Sequence, residues 1–279
     1  MQENKEPDGF VYTDDIRLSA ENEIAQGFRG QAVVGFIDLL GFSSKIRTEW
    51  HNTESNPLQI LMEMKVFFNL AVESTNNEIR LLDYNGQLLR TINWPEIITV
   101  SDSFMFLKPI NDSSEEEVLL SIFSVISATN ELWRIALDRG FSIRGGIEYG
   151  DVFCHKLDIV GEPFMDAYKL ESEVANSSRI ILSDNIRELI KKNLTNIDPV
   201  IIHYFQRFLF KDTDGYLCIN PLMILGNHSG VLENTMNRLN DILKNITSEK
   251  IIDKYKGLYE KLREQDYSLR DISMFNEGL

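Results

Sequence analysis

The spacing of hydrophobic and polar residues changes several times along the chain, and each change marks an element. Residues 32–39 (AVVGFIDL) are apolar almost without break and end on an acid, the pattern of a central strand covered on both faces. Residues 57–78 carry apolar side chains at helical spacing and open on Pro57, which suits a first helical turn. Residues 96–107 read as two β-rich runs around Ser101-Asp102-Ser103, a hairpin with the acid at its tip. The strongest helical pattern covers 114–139. Ser113 and Glu116 form a capping box there, Val118, Leu119, Ile122, Ile126, Leu132 and Ile135 share a stripe, and Gly140 follows as a stop.

Further on, residues 142–149 (SIRGGIEY) read as a strand broken by two glycines, 164–176 as helix, 179–183 (RIILS) as strand and about 185–193 as helix. Residues 199–219 look like two last strands joined by the polar turn Lys211–Gly215, and 231–265 like amphipathic helix interrupted near Thr247-Ser248. Residues 1–30 are polar, acidic and aperiodic, a leader that is partly disordered or lies on the surface. The order β-α-β-β-α-β predicts an α+β fold with a ferredoxin-like core, an antiparallel sheet with helices on one face, plus C-terminal helices. The expected organisation is a leader over 1–30, one domain over 31–222 and a helical extension over 223–279 packed on the core.

With 279 residues and 43% hydrophobic content the chain can fill one large core. The net charge of −15 repels nucleic acid and anionic membranes, so neither is an expected partner. A small polyanion remains possible where a metal and local cations reverse the field. Two cysteines make no disulfide framework, four histidines show no ligand spacing, and no signal peptide or bilayer-spanning run is read, so a cytoplasmic location is expected.

Two acids invite chemistry. Asp38 ends a strand expected to be buried on both faces, where an unpaired carboxylate needs a cation or strong donors. Asp102 sits at the hairpin tip; if that hairpin lies beside the first strand, both carboxylates converge on one site for magnesium or manganese. A strand-end acid and a turn acid, each solvated, fit the same spacing. Leu39, Leu40, Gly41, Phe42 and Ser43 lead toward a helix, and a glycine there lets backbone N–H groups approach a phosphate. Arg144 interrupts an apolar strand, as a phosphate ligand or as half of a salt bridge. Met165 and Lys169, four apart, share a helix face after Asp158, while Glu171 and Glu173 read as solvated. Lys211 is a second candidate phosphate contact or a plain surface lysine.

Taken in order, five segments resemble the catalytic domain of class III adenylate and guanylate cyclases over about residues 32–220: FIDLLGF (36–42), VSDSF (100–104), IRGGIEYG (143–150), DIVGEPFMDAYKLE (158–171) and RIILS (179–183). The resemblance implies two Mn2+ or Mg2+ ions per active site, held by Asp38, Asp102 and the carbonyl of Leu39. It implies phosphate contacts from Leu40, Gly41, Phe42, Ser43 and Arg144. It also implies a homodimer with shared sites, Asp158, Met165 and Lys169 coming from the partner, Lys169 in the place of a transition-state arginine.

The departures narrow the reading. The position four before the second metal acid, a purine-reading lysine or glutamate in the family, is Ile98; Met165 replaces a ribose-orienting asparagine, and Lys169 lacks the bidentate fork of arginine. The chain resembles the pyrimidine cyclases of bacterial antiphage signalling (the Pycsar type), which make cyclic UMP or cyclic CMP for a separate cyclic-nucleotide-sensing effector. Trp50 and Phe104 are candidates, with Ile98, to close a smaller base pocket, although aromatic core filling is the plainer role. UTP is expected ahead of CTP, and a catalytically inactive cyclase-like nucleotide-binding or dimerisation module is the reading of another class.

Overall fold

The computed structural model describes residues 14–52, 56–111, 114–193, 196–221, 223, 231–245 and 249–264. The chain runs through α1 (Asp14–Gln26), β1 (Phe28–Leu40), α2 (Phe42–Glu49), α3 (Pro57–Ser74), β2 (Glu78–Leu82), β3 (Leu88–Asn93), β4 (Glu96–Val100) and β5 (Ser103–Pro109). There follow α4 (Glu115–Asp138), β6 (Ser142–His155), β7 (Asp158–Gly161) and α5 (Glu162–Lys169), which continues into a π-helical turn, Leu170–Val174. The last elements are β8 (Ile180–Leu182), α6 (Asp184–Asn193), α7 (Pro199–Phe208), β9 (Leu209–Lys211), β10 (Leu217–Ile219), α8 (Val231–Asn245) and α9 (Glu249–Glu264).

The main sheet has the order β4-β5-β1-β6-β8-β10-β9, with β7 paired to β6. Every pairing in it is antiparallel except β6 with β8. Its first four strands, joined as β1–α3–β4–β5–α4–β6, are the expected α+β ferredoxin-like arrangement, with β1 in the middle.

The two faces of β1 differ. Gly35 turns toward α4, where an added Cβ would sit 3.0 Å from Val125. Val33, Ile37 and Leu39 join that main core with α3, α4 and the C-terminal helices. Phe36 turns the other way, edge-on to Phe164 and Tyr168 of α5 at 5.9 and 5.2 Å between ring centres. The close approach of α5 depends on Gly146, whose added Cβ would stand 2.4 Å from the Ala167 carbonyl oxygen and 2.5 Å from Leu170 Cβ. Period-two alternation then puts Asp38 on the α5 side of the sheet with Phe36.

Several boundaries differ from the sequence expectation. Residues 14–26, inside the expected leader, are helical, and β1 opens at Phe28 because Phe28–Gln31 extend its ladder with Cys154–Asp151. Residues 78–93 hold a two-stranded hairpin whose turn Asp83 organises by accepting from Asn85 N and Gln87 N, both at 2.8 Å. Ser113 lies outside the described residues; α4 is capped by Ser114, which accepts from Glu117 N at 3.3 Å. Residues 199–208 are a helix rather than a strand. Pro199 opens it and the Asp198 side chain accepts from Val200 N at 2.8 Å, a cap that overrides the β propensity of Val200-Ile201-Ile202. Contrary to expectation, the 24-residue α4 is long and apolar enough to cross a membrane, its most apolar 18 residues having a mean hydropathy of 1.2, but 78% of that window is buried inside the protein.

Candidate functional site

The site grows from the C-terminal end of β1. In the ladder Asp38 is opposite Ser103 of β5 on one side and Arg144 of β6 on the other. Ser103 Oγ donates to Asp38 Oδ1 at 3.3 Å, and Arg144 Nη2 lies 3.6 Å from Asp38 Oδ2. The hairpin tip reaches the same place. Val100 and Ser103 close a two-residue turn in which Ser101 takes a left-handed φ of 54°, and Ser101 Oγ donates to Asp102 Oδ1 at 2.9 Å. Leu39 N donates to the Asp102 carbonyl at 3.3 Å, fastening the tip to β1. The N–H and C=O of a strand residue point to the same side, so the Leu39 carbonyl also faces the tip.

Charge is not balanced there. Asp38 is pushed up to about 6, first by burial and then by the Asp102 carboxylate, with Arg144 and Ser103 opposing. A third acid meets the same guanidinium nitrogen. Glu171 Oε1 is 2.7 Å from Arg144 Nη2, yet no N–H bond is aimed at it, and the side chain is buried. Burial raises Glu171 to about 7, with Asp38 and Asp102 adding to the rise and Arg144 and Lys254 of α9 working against it. Sequence reasoning put Glu171 in solvent. An ordinary helical wheel already carries Glu171 to the sheet side, four residues after the buried Ala167 and seven after Phe164, and there its carboxylate meets Arg144.

The two carboxylates at the β1 end, one of them desolvated and repelled by its neighbour, with a main-chain carbonyl facing the same tip, form an oxygen donor set that suits a hard divalent cation. Among the described residues no group of three or more His, Cys, Asp or Glu is placed to hold a metal by side chains alone. An ion held here therefore takes its remaining ligands from main chain, water or substrate phosphate.

After Leu40, Gly41 takes φ 87°, which a residue without Cβ adopts freely, and starts α2 with no side-chain cap. Leu40 and Phe42 are buried and Phe42 packs on Phe141 at 5.6 Å, so the loop is anchored by its side chains while Ser43 is exposed. Ile98 is buried opposite Met105, itself opposite Phe36, and so floors the same face as Asp38.

Other expected residues lie elsewhere. Phe104 pairs with Ile37 and is part of the main core on the opposite face, which removes it from the base pocket. Trp50 follows the last residue of α2, about 12 Å along the helix from the Gly41 turn, and lines a cleft of 400 Å3 with His51, Asn56 and Leu58. Lys211 is on edge strand β9, four strand spacings or roughly 19 Å from β1. Asp158 pairs with His155 at the far end of β6 from Arg144, roughly 35 Å away along an extended strand. Met165 and Lys169 are on the exposed face of α5, and Lys169 Nζ binds Asp166 at 2.8 Å.

No protein-family model matches the chain, and no curated protein matches it. Among solved structures it is similar to the guanylyl cyclase Cya2, with 17% identity, a TM-score of 0.38, and 58% of this chain and 79% of that one covered. It is similar to the catalytic core of a rhodopsin-guanylyl cyclase with converted specificity in complex with ATPalphaS, with 13% identity, a TM-score of 0.41, and 60% and 84% covered. A class III adenylyl cyclase-like ATP-binding protein from Pseudomonas aeruginosa is similar at 15% identity and a TM-score of 0.39, over 84% of this chain and 44% of that one.

Proposed function

We propose that this chain is a nucleotide cyclase that converts a pyrimidine nucleoside triphosphate, UTP ahead of CTP, into the 3′,5′-cyclic monophosphate and pyrophosphate. The observation that carries this reading is the meeting of Asp38 and Asp102 at the end of β1, where burial and mutual repulsion leave carboxylate charge without a full counterpart. Asp38, Asp102 and the Leu39 carbonyl hold Mn2+ or Mg2+ in this reading. The bound ions supply acidification of the ribose 3′-hydroxyl and neutralisation of the triphosphate.

The chain's own groups do the rest. The uncapped start of α2 offers the main-chain N–H groups of Gly41–Ser43 to phosphate oxygens, whereas the Leu40 N–H, on the same side as its carbonyl, faces β6. Arg144, one strand from Asp38, turns from the carboxylates toward the phosphates once cations sit between. The long separation of Asp158 from its own Arg144 supports a homodimer in which Asp158, Met165 and Lys169 serve the partner's carboxylates. Ile98 on the Asp38 face neither donates to adenine nor accepts from guanine, which supports the smaller bases. The cyclic product acts in this reading as a second messenger for antiphage defence, read by a separate effector protein.

Purified protein with Mn2+ and each of the four nucleoside triphosphates, the products resolved by mass spectrometry, tests the reading. Cyclic UMP or cyclic CMP is expected; products from ATP or GTP alone overturn the pyrimidine assignment. One observation favours an inactive nucleotide-binding module instead, namely that Arg144 is engaged by Glu171 and Lys169 by Asp166. Pyrophosphate release that depends on Mn2+ and vanishes in Asp38→Ala excludes that alternative.

A further inference from the structure

The end of the β1–β6 ladder carries a side chain from far along the sequence. Leu40 and Ser142 form its last register pair. Tyr255 of α9 bridges them: its hydroxyl donates to the Leu40 carbonyl at 2.8 Å and accepts from Ser142 N at 3.0 Å. Tyr255 is almost fully buried, and burial pushes its hydroxyl up to about 12, so it stays a neutral donor.

The bridge belongs to a buried polar cluster. Ser142 Oγ accepts from Trp133 Nε1 of α4 at 2.9 Å and touches Ser178 Oγ. Ser178 N donates to the Lys254 carbonyl at 2.9 Å, and Ser178 Oγ donates to the Ile143 carbonyl at 3.3 Å. One cluster thus joins α4, β6, the segment before β8, and α9 to the last residue of β1. Leu258 and Leu262 fix α9 in the main core below it.

A phenylalanine would fill the same volume, and a buried hydroxyl is costly unless it is bonded on both sides. The hydroxyl is bonded, and one of its two bonds is to the backbone two residues after Asp38. We infer that α9 sets the shape of the loop that carries Asp38, Leu39 and Gly41, with Tyr255 as a positioning residue that acts through the Leu40 carbonyl. The inference rests on the cyclase reading only for what the loop does; the mechanical link stands without it. It makes the C-terminal helices a working part of the site, not an appendage to it.

Tyr255→Phe in the full-length chain tests this, with Leu262→Ala as a control that loosens α9 without touching the bridge. Hydrogen exchange of the Leu40, Ser44 and Lys45 amides should quicken about tenfold or more in Tyr255→Phe, with interior α4 amides unchanged. Affinity for Mn2+ with inorganic tripolyphosphate should fall about tenfold, close to 1.4 kcal/mol. Leu262→Ala should lose stability without the loop-selective change. Loop exchange equal to the unaltered chain, or identical behaviour of the two variants, overturns the inference. Should the unaltered chain not bind tripolyphosphate, the cyclase reading fails and loop exchange alone decides this one. Should Tyr255→Phe not fold, denaturant-dependent exchange of the unaltered chain decides. Loop and α9 amides opening on one isotherm support the link, and separate openings overturn it.

Discussion

Arg144 Nη2 is 2.7 Å from Glu171 and 3.6 Å from its cross-strand partner Asp38, so one guanidinium answers two carboxylates that both titrate well above the normal range. Three acids, Asp102 included, meet here against Arg144 and the more distant Lys254, an arrangement that leaves room for more cation. Its consequences for pH and metal can be worked out.

Asp38 rises from 3.8 to about 6 on folding and Glu171 from 4.5 to about 7. Between about pH 4 and pH 7 the folded chain therefore holds more protons than the unfolded chain, so stability falls as pH rises through that window. The cost is fully present above about pH 7 and should be several kcal/mol, at most about 6 from the two shifts together before solvent screening lowers it. Urea unfolding of the metal-free protein should show greater stability near pH 5 than near pH 8. Glu171→Gln should flatten part of that slope, and Mn2+ should restore stability at pH 8 far more than at pH 5. A slope no flatter in Glu171→Gln than in the unaltered chain contradicts the assignment of these shifts.

Asp38→Asn removes the desolvated charge and should stabilise the metal-free protein at pH 8 by roughly 1 kcal/mol or more while lowering turnover at least about a thousandfold. Asp102→Asn should lower turnover similarly with a smaller gain in stability, because Asp102 is only half-buried, its amide oxygen can still accept from Ser101 Oγ, and what it relieves is its repulsion of Asp38. Paired measurement of melting temperature and Mn2+-dependent pyrophosphate release separates the two. Loss of stability in Asp38→Asn would mean that the carboxylate is a structural ion pair first.

The parts of this site that the sequence makes legible are those set by local pattern. The apolar run ending at Asp38, the hairpin around Asp102 and the interrupted strand at Arg144 each announce themselves within ten residues, and β1, β5 and β6 bring them together. Glu171 stands four residues after the buried Ala167, on the sheet side of an ordinary wheel, but an acid there reads as solvated while its partner Arg144, on another element, is out of view. In α7, the run Val200-Ile201-Ile202 speaks for a strand while Asp198-Pro199 speaks for a helix start, and the cap wins. Tyr255 could not be found at all: its partner Leu40 is 215 positions away, and no local spacing encodes that.

Gly146 is the hinge of contact between sheet and α5. An alanine there would put its Cβ 2.4 Å from the Ala167 carbonyl, so α5 and with it Glu171 must lift off the sheet. Gly146→Ala should cost roughly 2–3 kcal/mol and release Glu171 from Arg144. Its pH slope should then resemble that of Glu171→Gln, whereas Gly215→Ala, open to solvent at φ 93°, should cost only local strain and leave the slope alone. An unchanged slope in Gly146→Ala would show that α5 holds Glu171 in place by other contacts.

Asp158 of β7 pairs with His155 at one end of β6 and Arg144 lies at the other end, roughly 35 Å away along the strand. If both serve one reaction, they must belong to different copies, and each two-fold dimer then holds two sites of mixed parentage. Asp38→Ala and Asp158→Ala are each expected to be inactive alone. In a heterodimer of the two, both substitutions fall into one site and the other is left intact. Equal mixing with free exchange makes half the dimers mixed, each with one working site, so roughly a quarter of the original activity should return. Size-exclusion chromatography verifies that dimers form, and turnover of the mixture against its separate components is the readout. Recovery near zero in exchanged dimers would mean that each site is built within one chain, and that the residues assigned to the partner do something else.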